Sequence, residues 1–217
     1  MHKPNNLLEM DVKSEFGWDP QLDATRIVVN ATEGKVTLTG VVPTYYETVL
    51  ADEDASRVGG VTTVDNQLLV GTLGEATVDE DIVTDCVKAL DADRFVPHGS
   101  VSVAVRAGWV TLSGEVRHHL QRRAAEHAVR HVDGVVGMTD RINLSSGPIP
   151  SDVVNRIKRA FERNAIIDDS QIEVTSAGHI VYLDGTVPDR FAMDEAVGTA
   201  YLAPGVREVV SRLVIVP

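Results

Sequence analysis

The feature that most constrains this chain is an internal repeat. Gly40, Gly114 and Gly185 each close a short segment written TLTG, TLSG or YLDG. Twenty residues after each stands another glycine followed by valine, at Gly60, Gly134 and Gly205. Around these anchors the apolar positions match without a gap, shifted by 74 from the first copy to the second and by 71 to the third. A unit of about 70 residues is near the lower size for independent folding, because a small domain buries a smaller share of its surface. Three units that pack on one another recover part of that loss. A fold used in series points to binding rather than to a single catalytic centre.

Each copy opens with helical periodicity. Leu8, Val12 and Phe16 recur as Ile82, Cys86 and Leu90, and again as Val153, Ile157 and Phe161. That spacing places one apolar stripe on one helix face. Thr77 with Glu80 has the capping-box pattern for the second copy, and Ser151 is the expected N-cap of the third. A strand with period-two alternation follows: Ile27 and Val29, Val101 and Val103, Ile172 and Val174. A turn around Gly34, Gly108 or Gly178 leads to a second strand, whose inward pairs are Val36 and Leu38, Val110 and Leu112, and Val181 and Leu183. A second helix buries Tyr46, Ala51, Ala55 and Val58, then Leu120, Ala125, Val129 and Val132, then Phe191, Ala196, Ala200 and Ala203. The glycine of each Gly-Val step is expected to end it as a C-cap. A last strand carries Val64, Leu68 and Val70, or Met138, Ile142 and Leu144, or Val209, Leu213 and Ile215.

The expected fold class is α+β: three tandem αββαβ units, each with two helices packed on a three-stranded mixed sheet. The units are placed at residues 1–72, 76–146 and 149–217, joined by turn-rich linkers at Gly71–Thr77 and Ser145–Pro150.

Composition narrows the function. The net charge of −12 argues against general nucleic-acid binding, which needs clustered Lys and Arg. Residues 1–73 are the most acidic part, with five basic and eleven acidic side chains. The single cysteine, Cys86, cannot form an intramolecular disulfide. The N-terminus has no apolar signal core, and no stretch approaches the roughly 20 apolar residues of a membrane span. The expectation is a cytoplasmic protein, or a periplasmic one if a signal peptide was removed. There is no G-x-S-x-G elbow, H-E-x-x-H or P-loop, so no enzyme, cofactor or metal site is expected.

The V-x-L-x-G strand end, the alanine-bearing helix after it and the Gly-Val ending with its alternating apolar strand resemble the BON domain. That family is named for bacterial osmotically inducible and nodulation proteins, and is also called the transport-associated domain. The resemblance covers nearly the whole chain, three times in register. It implies a non-enzymatic module linked to osmotic and envelope stress, with phospholipid surfaces as the implied partner. A protein-interaction or self-assembly scaffold, including a homo-oligomer, is the alternative.

Candidate binding residues concentrate in the second copy. His119, Arg123, His127 and Arg130 follow one another along one helical stripe, with Arg117, Arg122 and His131 beside it. This basic face could contact lipid phosphates, the acidic first copy or an acidic partner, and histidine protonation would strengthen each contact below about pH 6.5. The competing reading is a solvated face with Glu126 pairing internally. His127 and His131 are one turn apart, but nothing nearby completes a ligand set. Trp109 falls on an outward strand position whose counterparts are Lys35 and Ile180, and it needs a cover: a neighbouring copy, or a lipid or protein surface. Gly40, Gly60, Gly114, Gly134, Gly185 and Gly205 are read as structural, since all recur at turns. The acidic runs Asp52–Asp54 and Asp168–Asp169 are expected to be solvated.

Overall fold

The structure is a computed structural model describing residues 3–71, 78–145 and 147–216. Unit 1 comprises α1 (Asn5–Trp18), β1 (Ile27–Thr32), β2 (Lys35–Val42), α2 (Tyr45–Arg57) and β3 (Thr63–Val70). Unit 2 comprises α3 (Asp79–Ala92), β4 (Val101–Arg106), β5 (Trp109–Val116), α4 (His119–Arg130) and β6 (Gly137–Leu144). Unit 3 comprises α5 (Val153–Phe161), β7 (Ile172–Ala177), β8 (Ile180–Val187), α6 (Arg190–Tyr201) and β9 (Glu208–Ile215). The fold is α+β, three repeats of one αββαβ unit.

In every unit the second strand is central. It pairs antiparallel with the first through a two-residue connection and parallel with the third through the second helix. The helices cover one sheet face. Period-two alternation puts Val36, Leu38, Val110, Leu112, Val181 and Leu183 beneath them, all fully buried. The first-helix stripes, Leu8–Val12–Phe16, Ile82–Cys86–Leu90 and Val153–Ile157–Phe161, close the cores from above. Ala51 and Ala55, Ala125, and Ala196 and Ala200 are buried on the second helices, where small side chains bring helix and sheet close.

The glycine that ends each V-x-L-x-G strand is required by backbone contact. Gly40, Gly114 and Gly185 have φ of 134°, 143° and 136°, and a Cβ there would run into the carbonyl oxygen of Arg26, Ser100 or Gln171. Each carbonyl belongs to the residue just before the neighbouring strand, so the glycine lets the hairpin close at its open end.

Several local expectations need correction. Gly60, Gly134 and Gly205 are not C-caps. The helices end at Arg57, Arg130 and Tyr201, with Val58, His131 and Leu202 as caps. Gly60 lies three residues beyond the last helical one, and Gly134 and Gly205 four, in the turn that swings the chain into the final strand. Helix α5 begins one residue later than Ser151 implies: Asp152 is its N-cap, and Asp152 spends its carboxylate on Arg156 Nε at 2.9 Å rather than on capping. Thr77, the other expected cap, lies outside the described residues, as do positions 72–77 and 146 of the linkers. Leu120 is 57% exposed, not buried, because the packed stripe of α4 runs through Ala125 and Val129 instead. Tyr46 and Phe191 are likewise only half-buried, as are Val132 and Ala203, which lie beyond the helix ends. Asp54 is not solvated: it is 1% exposed, pairs with Arg57 at 2.7 Å, and burial pushes its carboxyl up to about 6.

The arrangement of the units could not be read from the sequence. Helices α2, α4 and α6 meet in a closed head-to-tail ring. The end of α4 lies against α2, with the His131 and Tyr46 ring centroids 4.0 Å apart. The end of α6 lies against the start of α4, where Tyr201 and His119 stack at 4.3 Å and 13°. The turn after α2 meets the start of α6, where the Arg190 N–H donates to the Val61 carbonyl at 3.2 Å. Under the repeat offsets Tyr45, His119 and Arg190 are one position, and Ser56, Arg130 and Tyr201 another. Equivalent helix ends thus meet three times, through different atoms at each junction, and the ring leaves no free end to propagate.

Candidate functional site

Helix α4 carries most of the residues singled out from the sequence. Its N-terminus is a capping box: His118 caps the N3 backbone, and Gln121 Oε1 accepts from the His118 N–H at 3.1 Å and from Arg117 at 2.9 Å. This fixes Arg117 and His118 at the helix entry, where both side chains are exposed.

The basic stripe then divides. Arg122 is committed inside its own unit: Nε donates to Asp140 on β6 and lies 3.6 Å from Glu126 one turn on. Burial raises the Glu126 carboxyl to about 7, and a hydrogen bond to Asp140 and that group's charge add to the rise. Arg130 is committed to unit 1. Its Nη1 donates to Glu53 Oε1 at 3.2 Å, and its guanidinium lies 5.2 Å from the Tyr46 ring centroid. The acidic first unit is thus an actual partner of the basic helix. His119 is committed to unit 3 through its stack on Tyr201, with Nδ1 buried and without a hydrogen-bond partner. Burial, with Arg122 and Arg123 nearby, lowers it to about 4, so it does not supply the charge expected near pH 6.5. Burial also lowers His131. Arg123 and His127 remain exposed beside Leu120, and the His127 ring lies 4.8 Å from that of His131.

Trp109 is covered partly by its own sheet. Its Nε1 donates to Thr139 Oγ1 at 2.9 Å, and its six-membered ring occupies the space a Cβ on Gly137 would need. The equivalent pair in unit 1 is the Lys35–Asp65 salt bridge at 2.8 Å. Trp109 is still 49% exposed.

Two clefts lie along the seams. A cleft of about 480 Å³ between units 1 and 2 is lined by Tyr45, Thr48, Asp52, Leu68, Trp109 and Gly137, among others. One of about 700 Å³ between units 2 and 3 is lined by Glu115, Arg122, Ile142, Tyr201, Arg207 and Glu208, among others. They are the same place in the repeat: Thr48 and Leu68 correspond to Arg122 and Ile142, and Gly137 to Glu208. Sequence reasoning missed Tyr45, Glu53, Tyr201 and Asp140. Their positions within the repeat were legible, but only the seams give those positions neighbours. Among the described residues no three His, Cys, Asp or Glu side chains gather as a metal site. No helix among them is long and apolar enough to cross a membrane.

The fold and the seams define a tandem-repeat protein of three like α+β units. The chain belongs to the BON domain family, whose profile matches residues 5–72, 78–145 and 151–217. It is 32% identical over 145 residues to osmotically-inducible protein Y of Escherichia coli (strain K12), covering 62% of this chain and 72% of that protein. It is also 32% identical over 143 residues to a 21 kDa hemolysin of Actinobacillus pleuropneumoniae, covering 64% and 73%. Among solved structures, CdsD, a structural protein of the type III secretion system of Chlamydia trachomatis, aligns over 98% of this chain and 93% of its own. Its identity is 16% and its TM-score 0.27, too low for the likeness to carry an argument.

Proposed function

We propose that this chain is a non-catalytic stress-response protein that docks on anionic phospholipid surfaces through the exposed part of α4. One observation carries the reading. Arg122 and Arg130 are used up on Asp140 and Glu53, whereas Arg117, Arg123 and His127 stay open around the exposed Leu120. An exposed apolar side chain ringed by cationic ones suits a headgroup layer. The net charge of −12 opposes such docking, so binding is weak and fades with salt. The name of osmotically-inducible protein Y supports the stress setting.

A protein-interaction or self-assembly scaffold is the second reading. The uncovered sheet faces favour it: Val28, Leu69 and Val214 are 54%, 67% and 58% exposed there.

Co-sedimentation with phosphatidylglycerol and phosphatidylcholine vesicles, in low and high salt, separates the two. The lipid reading expects binding to phosphatidylglycerol that salt weakens and that Arg117→Gln with Arg123→Gln abolishes. No binding in any condition, with a mass that rises with concentration in light scattering, moves the function to the scaffold reading.

A further inference from the structure

The cleft between units 1 and 2 has a chemistry that the basic helix does not account for. Its aromatic component is Trp109, anchored by its hydrogen bond to Thr139 and packed over Gly137, with half its surface still open. Tyr45 lines the same cleft from the start of α2. Its acidic component is Asp52, half-buried and, among the described residues, in no ion pair or hydrogen bond. The neighbouring cations bond other carboxylates, and only the charge of Arg190 also acts on Asp52. Arg130 bonds Glu53 at 3.2 Å, and Arg190 Nε bonds both carboxylate oxygens of Asp194 at 3.1 and 2.9 Å. Met138 and Leu68 complete an apolar wall.

We propose that this cleft binds a quaternary ammonium group, with Asp52 as its counter-charge and Trp109 and Tyr45 as its aromatic walls. A quaternary ammonium has a methyl shell that aromatic rings attract and no N–H that must be satisfied, so an aromatic wall with one carboxylate matches it. An inorganic cation would lose its hydration shell to a mostly apolar wall with one free carboxylate. A ready-held ring lowers the ordering cost of binding. Burial already holds the Asp52 carboxyl above its ordinary range, with Asp194 and Glu53 adding to the rise and Arg190 opposing it. A bound cation would relieve that. The equivalent cleft between units 2 and 3 carries two guanidinium groups and lacks the tryptophan, so the site belongs to one seam.

The cleft shares no lining residue with Arg117, Leu120, Arg123 and His127. Trp18→Phe leaves Trp109 as the lone tryptophan, since the chain has two, and excitation at the red edge of indole absorption keeps the four tyrosines silent. The full-length variant is titrated with choline chloride, with 3,3-dimethylbutan-1-ol as the uncharged isostere and sodium chloride as the ionic-strength control. The expected result is a saturable change in Trp109 emission with choline. Binding should be at least about tenfold weaker for the isostere and for choline with Asp52→Asn. The Asn variant keeps the shape and removes a charge that half-burial makes costly, so it remains folded. An equal response to the isostere, an unchanged response in Asp52→Asn, or no saturable response overturns the site. Phosphatidylcholine vesicles added in a second arm distinguish a lipid headgroup from a free solute as the source. The Arg117→Gln, Arg123→Gln variant should leave the choline titration unmoved.

Discussion

The seam between units 1 and 2 and the seam between units 2 and 3 join the same elements in the same way. Their chemistry is nevertheless different. At the first, Arg130 reaches an acidic helix and Trp109 and Tyr45 line a cleft that holds an unpaired carboxylate. At the second, a neutral His119 stacks on Tyr201, and Arg122 and Arg207 line the cleft with two glutamates. The contrast separates two kinds of position in a repeat protein. Positions facing a unit's own core are held to one solution by packing. Positions facing the next unit carry whatever that seam needs.

The largest effects should come where the units do not differ. Gly40→Ala, Gly114→Ala and Gly185→Ala each drive a Cβ into a backbone carbonyl at a φ that alanine resists. Each should cost at least about 3 kcal/mol by denaturant unfolding, and by similar amounts. One mild case among the three would show that its hairpin can relax by a bulge, and the equivalence of the units would fail there.

The next effect is specific to unit 2. The Glu126 carboxyl is near 7 when folded, above its ordinary value, so the folded state holds a proton that the unfolded chain has released. Stability therefore falls as pH rises from about 4.5 to about 7. Glu126→Gln mimics the protonated form. It should match the wild type at acid pH and exceed it by about 1–2 kcal/mol above pH 7. Parallel melting curves across that range test this, and a variant whose deficit grows with pH would contradict the burial.

His119 acts with the opposite sign. Its folded value near 4 lies below the ordinary one, so its neutral stacking on Tyr201 loses stability as pH falls from about 6.5 to about 4. An NMR titration should place its ring midpoint near 4. Tyr201→Ala should cost about 1 kcal/mol beyond area burial and move that midpoint upward by exposing the ring. A midpoint that stays near 4 would mean the stack is not what buries it.

The smallest effect should be the Arg130–Glu53 bridge. A double-mutant cycle with Arg130→Ala and Glu53→Ala should give a coupling of about 0.5 kcal/mol, since Glu53 is 42% exposed. A coupling several times larger would make this ion pair, rather than the aromatic contacts around it, the main tie at the first seam.

Much of the fold was legible because a strand or helix that faces its own core must repeat its apolar period. Val36, Leu38, Val110, Leu112, Val181 and Leu183 declared their inward face by alternation alone. The helix stripes did the same. Errors fell where local pattern and packing part company. Leu120 reads as the first buried residue of its helix, yet α4 turns Ala125 and Val129 inward and leaves Leu120 outside. The basic stripe of α4 was visible as residues, but its division into committed and open members was not. Arg122 and Arg130 meet their carboxylates across 18 and 77 residues of chain, and no local pattern encodes such distances.

By itself the sequence determined the unit: its element order, its core, and the glycines at which backbone approaches backbone. Those follow from the period of side-chain burial and the excluded volume of a Cβ, and both act within about 70 residues. Only the tertiary structure decided that the three units close into a ring. Closure depends on which helix end meets which, and the residues that settle it are drawn from three copies that share a pattern but not a chemistry. Tyr45, His119 and Arg190 occupy one position of the repeat. They are a cleft wall, a neutral stacked ring and a backbone anchor because each meets a different neighbour.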